Sequence, residues 1–133
     1  MPNKSQELVI YIVDDDDSVR KGLSRLMRSA GLLSQDFDSA ESFLARVTTK
    51  DTGCVLMDVT MPRLTGLQMQ VELKKRQIDL PVIAVSARDD ADTRDMAQRL
   101  GAEFFFRKPV DDQALIDAIH WVLGRHRPPQ SSN

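Results

Sequence analysis

Four short apolar runs, at residues 8–13, 54–58, 81–86 and 104–106, and a weaker strand candidate at 32–37 alternate with five predicted helices. Short loops join them. Apolar runs that are continuous rather than alternating mark strands buried on both faces. Strands alternating with helices in this way fold as an open parallel sheet with helices on each side. The predicted fold class is therefore α/β, a doubly wound sheet of five parallel strands flanked by five helices. A strand order of 2-1-3-4-5, reached by right-handed crossovers, satisfies the pattern.

Local signals set the expected boundaries. Residues 1–7 are a polar lead-in. The first helix is predicted from Ser18, with Val19, Leu23, Leu26, Met27 and Ala30 on one face and Gly31 as a left-handed stop. Asp38 followed by Glu41 predicts the start of the second helix, and Ala40, Phe43, Leu44 and Val47 its buried stripe. Residues 50–53 form a turn before the strand at 54–58. Thr65 and Gln68 read as a capping box opening a helix to about Arg76, with Leu67, Met69, Val71 and Leu73 on its apolar side. A fourth helix follows the charged loop at 88–92, runs to Leu100 and stops at Gly101. The last, over about 111–125, carries Leu115, Ile116, Ile119, Val122 and Leu123. Residues 126–133 are polar and Pro-bearing, as a tail or linker stub is.

Composition excludes several classes. A net charge of −2 leaves no basic footprint for nucleic acid, so this chain itself is not expected to bind DNA. The single cysteine, Cys54, allows no internal disulfide and reads as a small buried hydrophobe. No apolar run is long enough to cross a bilayer and no signal-peptide core is present, which predicts a cytoplasmic protein without a membrane partner.

The chemistry lies where the strands end. The run at 54–58 terminates in Asp58, shortly before Pro62, although a carboxylate is disfavoured at the end of a buried strand. The first strand delivers Asp14 and Asp15, the fourth Ser86, and the fifth Lys108. In an open parallel sheet ligands sit outside the carboxyl ends of the strands, where strand order reverses. Three carboxylates, a hydroxyl and an ammonium would then share one crevice. Crowded carboxylates raise one another's pKa unless cations offset them. One Lys does not balance three, and an all-oxygen set suits Mg²⁺. The corresponding reaction is phosphoryl transfer to Asp58, giving an aspartyl phosphate. Each residue alone has an ordinary explanation. Asp16 and Asp17 cap the first helix, Ser86 could serve a turn, and Lys108 could be solvated. Their arrival together at four strand ends is what points to a site.

The pattern Val13-Asp14-Asp15, Met57-Asp58-Val59-Thr60-Met61-Pro62 with Gly66, Ser86-Ala87, Gly101-Ala102 and Lys108-Pro109 resembles the response-regulator receiver domain of two-component signalling. It spans Leu8 to Arg125, and most resembles receivers attached to C-terminal helix-turn-helix output domains. The resemblance implies a flavodoxin-like receiver fold over residues 1–127, with 128–133 as a polar tail or linker remnant. It implies that Asp58 accepts phosphate from a phosphohistidine on a sensor histidine kinase. Asp15 and Asp58 would ligate Mg²⁺ (or Mn²⁺) directly with the Thr60 backbone carbonyl, and Asp14 through water. Ser86 and Lys108 would bind phosphoryl oxygens, and the Lys108–Pro109 bond would be cis. Ser86 and Phe105 would form the switch, acting on the face of the fourth helix, fifth strand and fifth helix. That face would meet an output domain, a downstream protein or a second phosphorylated copy. Two departures stand out: Ser86 replaces the commoner Thr but keeps the hydroxyl, and Phe105, often Tyr, lacks one.

Two other readings compete. An Asp-nucleophile phosphatase of the haloacid-dehalogenase type needs a second Asp two residues after the first, and Thr60 stands there, so a turnover enzyme is not expected. A transcription regulator would carry its DNA-binding part beyond Asn133, with residues 128–132 as a linker. Among the remaining residues, His120 and His126 read as solvated, Trp121 as packing on a helix or at a contact surface, and the six Met residues mostly as core.

Overall fold

The computed structural model describes residues 7–88 and 90–125. Its elements are β1 (Leu8–Val13), α1 (Asp17–Ser29), β2 (Leu33–Phe37), α2 (Ala40–Arg46), β3 (Thr52–Asp58), α3 (Gly66–Lys75), β4 (Val82–Ser86), α4 (Ala91–Arg99), β5 (Ala102–Arg107) and α5 (Asp112–Arg125). All pairings are parallel, and the order is β2-β1-β3-β4-β5. The sheet is the expected one. Its order reverses between β1 and β3, which leaves a crevice at the carboxyl ends of those strands.

Successive side chains of a strand point to opposite faces, and here both faces are buried. Ile10 and Ile12 of β1, with Leu56 and Ile83, meet Met27, Leu115, Ile119 and Val122 from α1 and α5. Tyr11 and Val13, with Met57 and Ala84, meet Phe43, Met69, Leu73 and Ala97 from α2, α3 and α4. Two apolar layers thus clamp the central strands, while the edge strand β2 stays partly exposed and polar. Among the described residues no helix is long and apolar enough to cross a membrane.

The structure departs from the sequence reading at several boundaries. Ser39, not Asp38, caps α2, accepting the Ser42 N–H at 3.0 Å. β3 starts at Thr52, two residues early, because its ladder with β1 begins at Leu8↔Thr52. Gly53 makes that possible: at φ 132° it lies so close to Val9 that a Cβ would sit 1.9 Å from the Val9 carbonyl oxygen. β5 extends to both sides of the three phenylalanines. On α3 the inward stripe is Gly66, Met69, Gln70 and Leu73, while Val71 is 38% exposed. Gln70 is tolerated inside because its Nε2 donates to the Ala97 carbonyl at 3.2 Å. Met96, at 45% exposed, is surface rather than core. The lead-in at 1–6, His126 and the 127/128 boundary lie outside the described residues.

Candidate functional site

Strand ends bring the site together. Asp14 follows β1, Asp58 closes β3, Ser86 closes β4, and Lys108 follows β5. Ladder bonds continue past the strands: Val59 N–H donates to the Val85 carbonyl at 3.0 Å, and Lys108 N–H to the Ser86 carbonyl at 2.8 Å. The Lys108–Pro109 peptide bond is cis. Lys108 Nζ lies 2.9 Å from Asp14 Oδ2 and 3.5 Å from Asp58 Oδ2. Asp14 Oδ1 accepts the Asp16 N–H at 2.9 Å, and Asp58 Oδ1 the Thr60 N–H at 3.1 Å. Asp14 and Asp58 are buried and Asp15 is exposed. Each of the three offers an oxygen within 4.8 Å of the other two. Gly66 closes one wall, where a Cβ would lie 2.5 Å from the Asp58 carbonyl oxygen.

The charges do not balance. Burial and the Asp14 charge push the Asp58 carboxyl up to about 6, against the lowering effects of Lys108 and the Thr60 N–H. Burial pulls the Lys108 ammonium down, but Asp14 and Asp58 more than offset it and its pKa ends raised. A pocket of hard oxygens with one ammonium among three carboxylates has the donor chemistry and charge deficit that fit Mg²⁺ or Mn²⁺.

Unfolded, the Asp58 carboxyl releases its proton near 3.8; folded, it does so near 6. The ionised form is therefore disfavoured by folding, and the penalty grows between those values and is complete above them. The shift corresponds to about 3 kcal/mol, and water at the open Asp15 side screens part of it. Metal-free Asp58→Asn is expected to be more stable than wild type by about 1–2 kcal/mol at pH 7.5, shrinking toward zero at pH 4. Urea titrations in chelator at both pH values check this, and a pH-independent difference would contradict it.

Ser86 is fully buried, and its Oγ accepts the Arg88 N–H at 3.0 Å. Phe105 pairs with Ala84 across the β4–β5 ladder and is half-buried, with the Arg94 guanidinium 5.0 Å from its ring centroid. Thr60 is exposed in the β3–α3 loop. His120 is exposed on α5. Trp121 is 51% exposed, edge-on to Phe104 at 5.5 Å. Sequence reasoning missed Arg20, which donates to the Asp14 backbone carbonyl. Its only sequence signal is its place three residues after Asp17, the spacing of an ordinary surface pair.

Residues 10–120 match the family described as the response regulator receiver domain. The chain is 38% identical over 120 residues to the transcriptional regulatory protein FixJ of Azorhizobium caulinodans, covering 90% of this chain and 57% of that one. It is 41% identical over 125 residues to the response regulator protein TodT of Pseudomonas putida strain F1, covering 94% and 55%. The chain thus spans a little over half the length of these relatives. Among solved structures, the crystal structure of FixJ-N superposes with a TM-score of 0.85 at 30% identity, covering 94% of this chain and 99% of that one.

Proposed function

The chain belongs to the response regulator receiver family, and on that premise we propose that Asp58 is the phosphoacceptor of a phosphorylation-driven switch. The observation that carries this reading is the meeting of Asp14, Asp15, Asp58 and Lys108 at one sheet edge, with Lys108 reaching both buried carboxylates. With its pKa near 6, Asp58 is ionised at neutral pH and can act as a nucleophile. A carboxylate oxygen forms a bond to phosphorus as the N–P bond of a sensor kinase's phosphohistidine breaks. The released imidazole keeps the electron pair and takes up a proton. Lys108 and Ser86 donate to the phosphoryl oxygens as charge gathers there. Ser86 Oγ accepts the Arg88 N–H, a contact that leaves its own O–H as the donor. Asp15, Asp58 and the Thr60 carbonyl, with Asp14 through water, would hold Mg²⁺ (or Mn²⁺), which when bound offsets phosphoryl charge.

Thr60 supplies no general acid, so the chain accepts a group rather than turning over a substrate. Readout runs through Ser86: drawn toward the phosphoryl group, it opens space that Phe105 turns inward to fill. That movement reshapes the α4-β5-α5 face, where Met96 and Trp121 are exposed. The partners proposed for that face are an output domain, a downstream protein or a second phosphorylated copy. The relatives' names, FixJ being a transcriptional regulatory protein, support an output domain that binds DNA.

One experiment tests both halves. Incubated with acetyl phosphate and Mg²⁺, the wild-type chain gains one phosphoryl group by intact mass, and Asp58→Asn gains none. Ser86→Ala still gains it but loses the NMR response at Phe105 seen in wild type. A label that survives Asp58→Asn contradicts the acceptor, and an unchanged Phe105 response in Ser86→Ala contradicts the readout.

A further inference from the structure

Arg20 lies on the second turn of α1, with its side chain only 13% exposed. Its Nη1 donates to the Asp14 backbone carbonyl at 2.9 Å, its Nε to Asp36 Oδ2 of β2 at 3.3 Å, and its Nη2 pairs with Asp17. One guanidinium therefore ties together the ends of β1 and β2 and the start of α1. The consequence for Asp14 is specific. Its N–H donates to the Phe37 carbonyl, its Oδ1 accepts from Asp16, its Oδ2 meets Lys108, and its carbonyl is taken by Arg20. Arg20 is the α1 side chain that reaches back over the turn carrying Asp14 and Asp15. We propose that Arg20 is a positioning residue for the acidic site, holding the β1–α1 turn so that Asp14 and Asp15 face Asp58. This assignment rests on the metal-site reading above.

Charge and position make opposite predictions. Arg20 is a cation close to carboxylates, so if its charge alone mattered, removing it would strengthen the pull on Mg²⁺. If position matters, its loss loosens the turn and weakens binding, as loss of groups that orient metal ligands does. A planar fork serving three acceptors is not replaced by the single point charge of Lys. Arg20→Met and Arg20→Lys are therefore both expected to bind Mg²⁺ about 10-fold more weakly than wild type. Calorimetry on the full chain reads this. Hydrogen exchange in chelator gives a second, metal-free readout: the Asp16 amide, bonded to Asp14 Oδ1, exchanges faster in both variants, while the β3 amides keep wild-type protection. Loss of β3 protection would make Arg20 a general fold residue and overturn the assignment. So would tighter Mg²⁺ binding by Arg20→Met with Arg20→Lys unchanged, or wild-type affinity in both. A wild-type chain that binds no Mg²⁺ would overturn the metal-site reading and this assignment with it.

Discussion

On addition of acetyl phosphate, Lys108→Met is expected to gain its phosphoryl group about 10²–10³ times more slowly than wild type, the cost of removing one aimed donor from developing negative charge. Lys108 is the ammonium that reaches both Asp14 and Asp58, and no neighbouring strand end carries a second. The same substitution leaves two buried carboxylates facing each other, so the metal-free protein should lose about 3 kcal/mol at pH 7.5. That loss has a definite pH sign. Asp58 already holds its proton up to about 6, and without Lys108 it holds it to higher pH still. Protonation relieves the repulsion, so the deficit shrinks as pH falls toward 4. Stopped assays by intact mass give the rate and urea titrations the stability. A rate within threefold of wild type would remove Lys108 from the phosphoryl site.

Asp15→Ala is expected to separate metal binding from folding. Asp15 is exposed, makes no ion pair with Lys108, and crowds two buried carboxylates. Its loss should weaken Mg²⁺ by at least about 10-fold, no less than the loss of a group that merely orients a ligand, and slow phosphorylation in parallel. Metal-free Asp15→Ala should be no less stable than wild type, since one like charge has been removed. Calorimetry and urea titration together check this. A variant much less stable without metal would make the acidic cluster a structural feature.

The sheet was legible because its signals are redundant. The cores of β1, β3, β4 and β5 are continuous apolar runs, and α2, α3 and α5 each repeat their buried positions at helical spacing. The candidate site was legible for a different reason: once the strands are parallel, whatever follows each one shares an edge, so Asp14, Asp58, Ser86 and Lys108 converge without any side-chain detail. What escaped depends on contacts across the fold. The early start of β3 turns on Gly53 passing the Val9 carbonyl, a 44-residue separation. Gln70 is buried where a polar residue reads as surface, because its partner is the Ala97 carbonyl of α4. Val71 reads as part of an apolar stripe, yet the stripe's angle is fixed by Met69 and Leu73 against the sheet. Arg20 is a similar case, since its role depends on a carbonyl oxygen that any residue at position 14 would present.

The most direct measurement is the position of the phosphoryl bond itself. An acyl phosphate is reduced by borohydride to an alcohol, so a phosphorylated Asp becomes homoserine and is marked permanently in the chain. After acetyl phosphate and borohydride treatment, tandem mass spectrometry of peptides should find homoserine at position 58, with Asp14 and Asp15 unchanged. Homoserine at 14 or 15, or none anywhere in a chain that has gained phosphoryl mass, would contradict an aspartyl phosphate at Asp58.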